Sequence, residues 1–182
     1  MAVVASSCRS VSIQASASEP RDAIMLGVRP ARESDLEALI ALNAVVQSLH
    51  ASLEPAQFKP EADRDGVVAL FSATLEADSN ALLVAEIEGA LVGYVWLEIQ
   101  ARPATPFSLP RERAYVHHLA VQEGARRVGV ASALMRAVEQ ESLARGIKRV
   151  VLDAWATNEA AQHFFRAEGF SPFNVVLGKT LE

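Results

Sequence analysis

Arg126 and Arg127 stand just ahead of Gly129 in the segment AVQEGARRVGVASALMRAVEQ (120–140), where an apolar run gives way to helical periodicity. Gly129 and Ala131 carry little or no side chain, so an anionic ligand can approach the backbone N–H groups of Arg126, Arg127, Val128, Gly129, Val130 and Ala131. The first amides of a helix have no partner within it, and the helix dipole adds about half a positive charge at that end. Two guanidinium groups add fixed charge at the same place. Such a turn is a phosphate-binding device on physical grounds. The plain alternative is a helix start flanked by surface arginines. G-x-x-x-x-G-K-[ST] and G-x-G-x-x-G are both absent from the chain, which weighs against a nucleotide triphosphate or dinucleotide ligand.

The elements that must position this turn follow from periodicity and punctuation. Residues 113–121 (RAYVHHLAV) read as a strand leading into it, and a helix runs from about Val128 to Arg145, stopped by Gly146. Upstream, 24–30 reads as a short strand. Ser34 and Glu37 form a capping box for a helix fading near His50, and a second helix carries Val67, Leu70, Phe71, Thr74 and Leu75 on one face. Residues 81–88 and 90–100 are strands joined at Glu88-Gly89, a hairpin signal, and the proline-rich 102–112 is a loop. Downstream, 147–154 is a buried strand, Asn158 caps a helix ending before Gly169, and 170–181 is a strand region. The order β-α-α-β-β-β-α-β-α-β predicts an α/β (α+β) fold, a mixed sheet with helices on both faces.

Composition narrows the function classes. The chain has 182 residues, 51% hydrophobic, with a net charge of -5. That length suits one domain, expected over 23–182, and the acidic balance disfavours nucleic acid as a partner. No run of about 18 uninterrupted apolar residues suggests a membrane span. Cys8 is the only cysteine, which excludes an internal disulfide and a cysteine-based zinc site, and no metal is expected. Residues 1–22 stand apart. Six serines and a lone arginine within 1–18 make a flexible tail, a transit-like leader, or sequence upstream of a true start at Met25. The remainder reads as a cytoplasmic domain.

R-x-x-G-x-A at Arg126, Gly129 and Ala131, preceded by Leu119-Ala120-Val121, resembles motif A of the GNAT N-acetyltransferase superfamily. Asn158, Ala161, Phe164, Phe165, Gly169 and Phe170 resemble the N-x-x-A-x-x-[LF]-[YF]-x-x-x-G-F run near that family's C-terminus, and the element order agrees over about 24–181. The resemblance implies a mostly antiparallel central sheet whose strands at 113–121 and 147–154 splay apart to admit the pantetheine arm of acetyl-CoA. It implies that the turn holds the pyrophosphate and that the backbone of Leu119 and Val121 pairs with pantetheine like an added strand. A main-chain N–H near Leu119 would polarise the thioester carbonyl. Asn158 would touch the same arm, although a helix cap is its other reading.

The implied reaction is direct attack of a primary amine, on a small molecule or a protein, on acetyl-CoA in a ternary complex. An alkylamine of pKa near 10.4 is almost wholly protonated at neutral pH, so a base is needed. Strict alternation puts Tyr115, His117 and Leu119 on one face and Val116, His118 and Ala120 on the other. By resemblance His117 is the base, Glu98 the reserve base or a carboxylate attracting the amine, and His118 structural; a buried, hydrogen-bonded His117 is the bland alternative. Phe165 falls among the cofactor-contacting positions, where many relatives carry a tyrosine that protonates the departing thiolate. Tyr94 and Tyr115 are the only phenols left for that task. The acceptor would lie near 48–60 and 98–112, walled by His50, Pro55, Phe58, Trp96 and Phe107, with Trp155 beside the cofactor or in the core. The missing phenol keeps a second reading open, a non-catalytic acyl-CoA-binding module. A homodimer is the family habit.

Overall fold

A computed structural model describes residues 25–181; the serine-rich segment and Cys8 lie outside the described residues. Five strands form one sheet in the order β1-β2-β3-β4-β5: β1 (Leu26–Pro30), β2 (Asn80–Ile87), β3 (Ala90–Arg102), β4 (Arg111–Val121) and β5 (Val150–Leu152). All neighbours are antiparallel except β4 and β5. A parallel pair needs a crossover, here supplied by α3 (Val130–Ala144). The β2–β3 turn takes φ 51° at Glu88 and 80° at Gly89, the left-handed pair a tight hairpin requires.

Helices cover both faces. The apolar stripes of α1 (Leu36–Leu53) and α2 (Arg64–Glu76) bury Leu39, Leu42, Val46 and Phe71 against Leu82, Val84, Tyr94 and Ala120. On the opposite face α3 and α4 (Glu159–Ala167) bury Val130, Leu134, Met135, Val138, Ala161 and Phe165 on Val95, Leu97, Ala114, Val116 and Leu119. Glycine at position 93 lets α3 lie this close: a Cβ there would stand 2.8 Å from Ala120 O and 3.2 Å from Val130 Cγ1. Glu33–Leu53 is long and apolar enough to cross a bilayer by composition, which a search for unbroken apolar runs overlooks. Its apolar stripe packs on the sheet instead.

Several expectations are corrected. The Ser34–Glu37 capping box does not form. Asp35 takes the role, accepting from Arg32 N at 2.8 Å, because Arg29 holds its carboxylate in place at 2.7 and 3.0 Å, while Glu37 pairs with Arg64. The strand expected over 147–154 shrinks to three residues. The terminal strand expected at 170–181 is absent: residues 171–181 are exposed and without regular structure. Three residues of β5 offer too short a ladder to hold another strand, and Pro172 and Gly178 interrupt the apolar run. Phe173 lies instead under the Arg149 guanidinium, 4.6 Å from its ring centre.

Candidate active site

A β-bulge builds the centre of the site. Trp96 pairs with His118 and Leu97 with Val116, so β3 advances one residue while β4 advances two, and His117 is left unpaired. The expected alternation therefore fails at this point. Leu119 joins Ala114 and Val116 in the core beneath α3, while Ala120 faces α1. Tyr115, His117 and His118 all meet the aromatic surface on the α1 side: His117 stacks on Trp96 (4.2 Å between centroids), Tyr115 meets His117 edge-on (4.8 Å), and His118 meets Trp96 edge-on (5.3 Å).

The three titratable residues singled out from the sequence come together here. His117 Nε2 lies 2.8 Å from Glu98 Oε2, and Glu98 pairs across the ladder with Tyr115. Gln100 donates to the same carboxylate oxygen at 2.8 Å, and Arg113 Nε donates to Gln100 Oε1 at 3.0 Å. The Gln100 bond, then the bond and charge of His117, hold the Glu98 carboxyl below its ordinary value despite partial burial. An ionised carboxylate can only accept, so His117 carries its proton on Nε2 and presents a free lone pair at Nδ1. Burial lowers the His117 pKa, with the Glu98 hydrogen bond opposing, so the ring is neutral near pH 7. Tyr115 donates its hydroxyl to Asp153 at 2.5 Å, and burial followed by that bond raises its pKa well above the ordinary value.

His118 has a different environment. Asn43 Nδ2 donates to Tyr94 Oη at 3.1 Å, and Tyr94 Oη lies 3.1 Å from His118 Nδ1. With the Asn43 amide occupying the phenol oxygen, the phenol hydrogen goes to Nδ1 and the His118 proton sits on Nε2. Burial, reinforced by its histidine neighbours, lowers the His118 pKa to about 3.

Beyond the bulge the sheet opens. The parallel pairing of β4 with β5 ends at Val116–Leu152, although β4 continues to Val121. Gln122 N donates to Val92 O, which sets the phase of the antiparallel ladder: Ala120 and His118 bond to β3, and the N–H and C=O of Leu119 and Val121 turn toward the gap. At its end the chain makes a 3-10 turn (Glu123–Ala125) and passes Arg127, at φ 64°, to Gly129, at φ 90°. The first bond of α3 runs from Ala133 N to Gly129 O, and among the described residues no side chain caps the helix. The amides of Val130, Ala131 and Ser132 therefore point out of its N-terminus. The amide of Arg126 is spent on Glu123 O at 3.3 Å, so it leaves the set of free donors, and the Arg126 side chain reaches Val121 O at 3.3 Å. Arg127 and Val128 are exposed.

Across the gap, Asn158 caps α4 through Oδ1, which accepts from Ala161 N at 3.1 Å, while its buried Nδ2 has no partner among the described residues. Asn158 is therefore a helix cap that keeps an amide donor without a partner among the described residues. Phe165 is buried against Phe164 and Phe170. Phe107 is 97% exposed and Pro55 is exposed too, whereas Trp96 stacks on His117 and His50 packs on Phe58. Asp153 and the Gln100–Arg113 pair carry no motif in the sequence. Asp153 was findable as the polar residue just past the end of a parallel strand, where open α/β sheets place ligands. Among the described residues no group of three His, Cys, Asp or Glu side chains could hold a metal.

The mostly antiparallel five-stranded sheet, with helices on both faces and a glycine-led helix after β4, is an acetyltransferase-type fold, and sequence comparison agrees. Residues 44–170 match the acetyltransferase (GNAT) family, and the chain belongs to it. A 94-residue stretch is 29% identical to the uncharacterized N-acetyltransferase YycN of Bacillus subtilis (strain 168), covering 52% of this chain and 56% of that protein. The chain thus matches little more than half the length of that relative. Among solved structures, a tetramutant of the BH1408 protein from Bacillus halodurans superposes with a TM-score of 0.78 at 20% identity, over 85% of this chain and 99% of that one. The aminoglycoside N-acetyltransferase AAC(6')-Iy in complex with CoA gives 0.67 at 21% identity, over 88% and 97%. At these identities the structural likeness shows the fold.

Proposed function

We propose that this acetyltransferase moves an acetyl group from acetyl-CoA to a primary amine by direct attack in a ternary complex. The observation that carries the reading is the bulge itself, which sets a neutral, carboxylate-oriented histidine beside the opened β4–β5 gap. Bound acetyl-CoA would supply an acyl group activated as a thioester. The residues present fit such a ligand. The first-turn amides of Val130 and Ala131, reached past Gly129 and flanked by Arg126 and Arg127, suit a pyrophosphate. The backbone of Leu119 and Val121 and the unpaired Asn158 amide suit the alternating carbonyl and N–H groups of pantetheine.

His117 accepts the proton of the incoming amine at Nδ1. Glu98 holds the other ring nitrogen and favours the imidazolium that forms, and Gln100 fixes Glu98. Trp96 and Tyr115 clamp the imidazole plane from two sides. The Leu119 N–H, turned into the gap, is a fixed donor for an acyl oxygen, and one such donor is commonly worth about 10²–10³ in rate. No phenol is free to act as an acid: Tyr94 is enclosed between Asn43 and His118, Tyr115 is bound to Asp153, and Phe165 has no hydroxyl. A thiol of pKa near 8.5 leaves tolerably without one. That same lack favours the second reading, a non-catalytic acyl-CoA-binding module.

Thiol release from acetyl-CoA over a panel of primary amines separates the two. Turnover that collapses in His117→Ala supports the transferase. Stabilisation by CoA with no release on any amine supports the binding module, and stabilisation by ATP but not by CoA refutes both.

A further inference from the structure

Behind the reacting histidine, β3 and β4 carry a run of hydrogen bonds whose direction is fixed at both ends. Gln100 stands opposite Arg113 in the ladder and Glu98 opposite Tyr115, which puts them on the sheet face of the bulged His117. Arg113 Nε donates to Gln100 Oε1 at 3.0 Å, and Gln100 Nε2 donates to Glu98 Oε2 at 2.8 Å. His117 Nε2 lies 2.8 Å from that same oxygen. The Arg113 guanidinium also lies over the Tyr115 ring, 5.3 Å from its centre, and Tyr115 in turn meets His117 edge-on. No carboxylate of the described residues pairs with Arg113.

An arginine only donates and an ionised carboxylate only accepts. The Gln100 amide therefore fits between them in one sense alone, oxygen to Arg113 and nitrogen to Glu98. Bonds linked in this way polarise one another, so the guanidinium makes the amide N–H a stronger donor to Glu98. Glu98 Oε2 thus receives a donor from two sides. The carboxyl is held below its ordinary value first by the Gln100 bond, against partial burial, then by His117, with the Arg113 charge adding. A carboxylate drawn on by Gln100 and Arg113 pulls less on the imidazolium. That matters because a base has to be unprotonated at the working pH to take a proton from the amine. Among the other titratable groups around the bulge, His118 and the buried His50 of α1 are neutral. Asp153, bonded to Tyr115, carries a charge that favours the imidazolium rather than opposing it.

We propose that Arg113 is a positioning residue of this site: through the Gln100 amide it holds a second donor on Glu98 Oε2, and so limits how strongly that carboxylate favours a protonated His117. The inference rests on the acetyltransferase reading above, in which His117 is the base. The restraint lets Glu98 orient the imidazole through Nε2 without keeping it charged at rest.

The test first reads the His117 ring without any acetyl transfer, by NMR titration of the CoA-free protein. Its signal, among those of four histidines, is identified by its loss in His117→Ala. Arg113→Met and Gln100→Met keep much of each side chain's bulk and remove its hydrogen-bonding group. Each should raise the His117 titration midpoint by about half a pH unit, and the double variant should raise it by less than the sum, because the arginine acts through the amide. Arg113→Lys, still a donor only, should return most of the shift. In the thiol-release assay the acid limb of kcat/KM should move up by the same amount in both methionine variants, with the KM for acetyl-CoA unchanged. A residue with a merely structural role would lower Tm and leave the midpoint in place. A midpoint that stays or falls in both methionine variants, or a strictly additive double variant, overturns the proposal whatever the transfer assay shows. If the midpoints rise as expected and no amine releases thiol, the hold of Arg113 on His117 stands and the transferase reading falls.

Discussion

Replacing Glu98 by glutamine keeps a group of the same shape 2.8 Å from His117 Nε2 and deletes its charge. The amide oxygen can still accept from Nε2–H, so the tautomer and the free lone pair at Nδ1 survive. What disappears is the attraction between a carboxylate and the imidazolium formed when His117 takes a proton. For charge centres about 4 Å apart that attraction is roughly 1 kcal/mol in water and about 4 kcal/mol at an effective dielectric of 20. With the side chains of His117 and Glu98 24% and 34% exposed, the lower part of that range applies, about 1.4 kcal/mol, equivalent to about one pH unit. Burial already lowers the His117 pKa and Glu98 opposes it, so removing the opponent moves the pKa further down. The acid limb of the kcat/KM profile, followed by thiol release, should shift to lower pH by about one unit. The plateau should fall several-fold because a weaker base does the work. In His117→Ala the limb should flatten. A limb that stays in place or moves upward in Glu98→Gln, or that persists unchanged in His117→Ala, refutes the assignment of the base and of the charge that tunes it.

Other parts of the site give independent tests. Gly129→Val meets no protein atom within 4 Å but must adopt φ 90°, at a cost of roughly 1–2 kcal/mol; it should fold with a slightly lower Tm and lose the CoA-induced rise, and retained tight CoA binding would sink the phosphate-turn argument. Asn158→Ala deletes the α4 cap and should cost about 1 kcal/mol in denaturant unfolding, whereas Asn158→Asp keeps the capping oxygen and loses only the unpaired Nδ2; weaker CoA binding in both, with a stability loss in the alanine variant alone, separates the two jobs of that residue. His50 and His118 are buried neutral, with pKa values lowered by burial to about 4 and about 3. The unfolded chain therefore binds more protons below the ordinary histidine value of about 6.5, and stability should be full above it and decline as pH falls toward 4, by on the order of 2–3 kcal/mol for His50. Urea midpoints across that window check this, and a flat response would mean these rings are not enclosed as described.

What the sequence disclosed and what it hid divide along one physical line. The Arg126–Ala131 turn, the Glu88-Gly89 hairpin and the Asn158 cap are local: the residues that define each lie within a few positions of one another, and backbone preference decides the outcome. The bulge at His117 is not local. Nothing in RAYVHHLAV marks an extra residue, because the register slip exists only relative to Trp96 and Leu97 on the neighbouring strand. A strict alternation rule consequently assigned Leu119 to the face of His117 and His118 to the opposite one, and the fold reverses both. Asp153 and the Asn43–Tyr94–His118 chain were hidden for the same reason, since their partners lie between 24 and 75 residues away in sequence. The failed strand at 170–181 teaches the converse. Phe173, Val175, Val176 and Leu177 carry ample strand propensity, yet a strand is a relation between two chains, and three residues of β5 supply too little edge to complete it. The bulge also explains why two adjacent histidines can serve one site in unlike ways. It turns both toward α1, leaves His117 at the gap with a carboxylate on its far nitrogen, and sets His118 against a phenol. Thus one inserted residue separates a histidine with a free lone pair from one whose lone pair is already taken by a phenol.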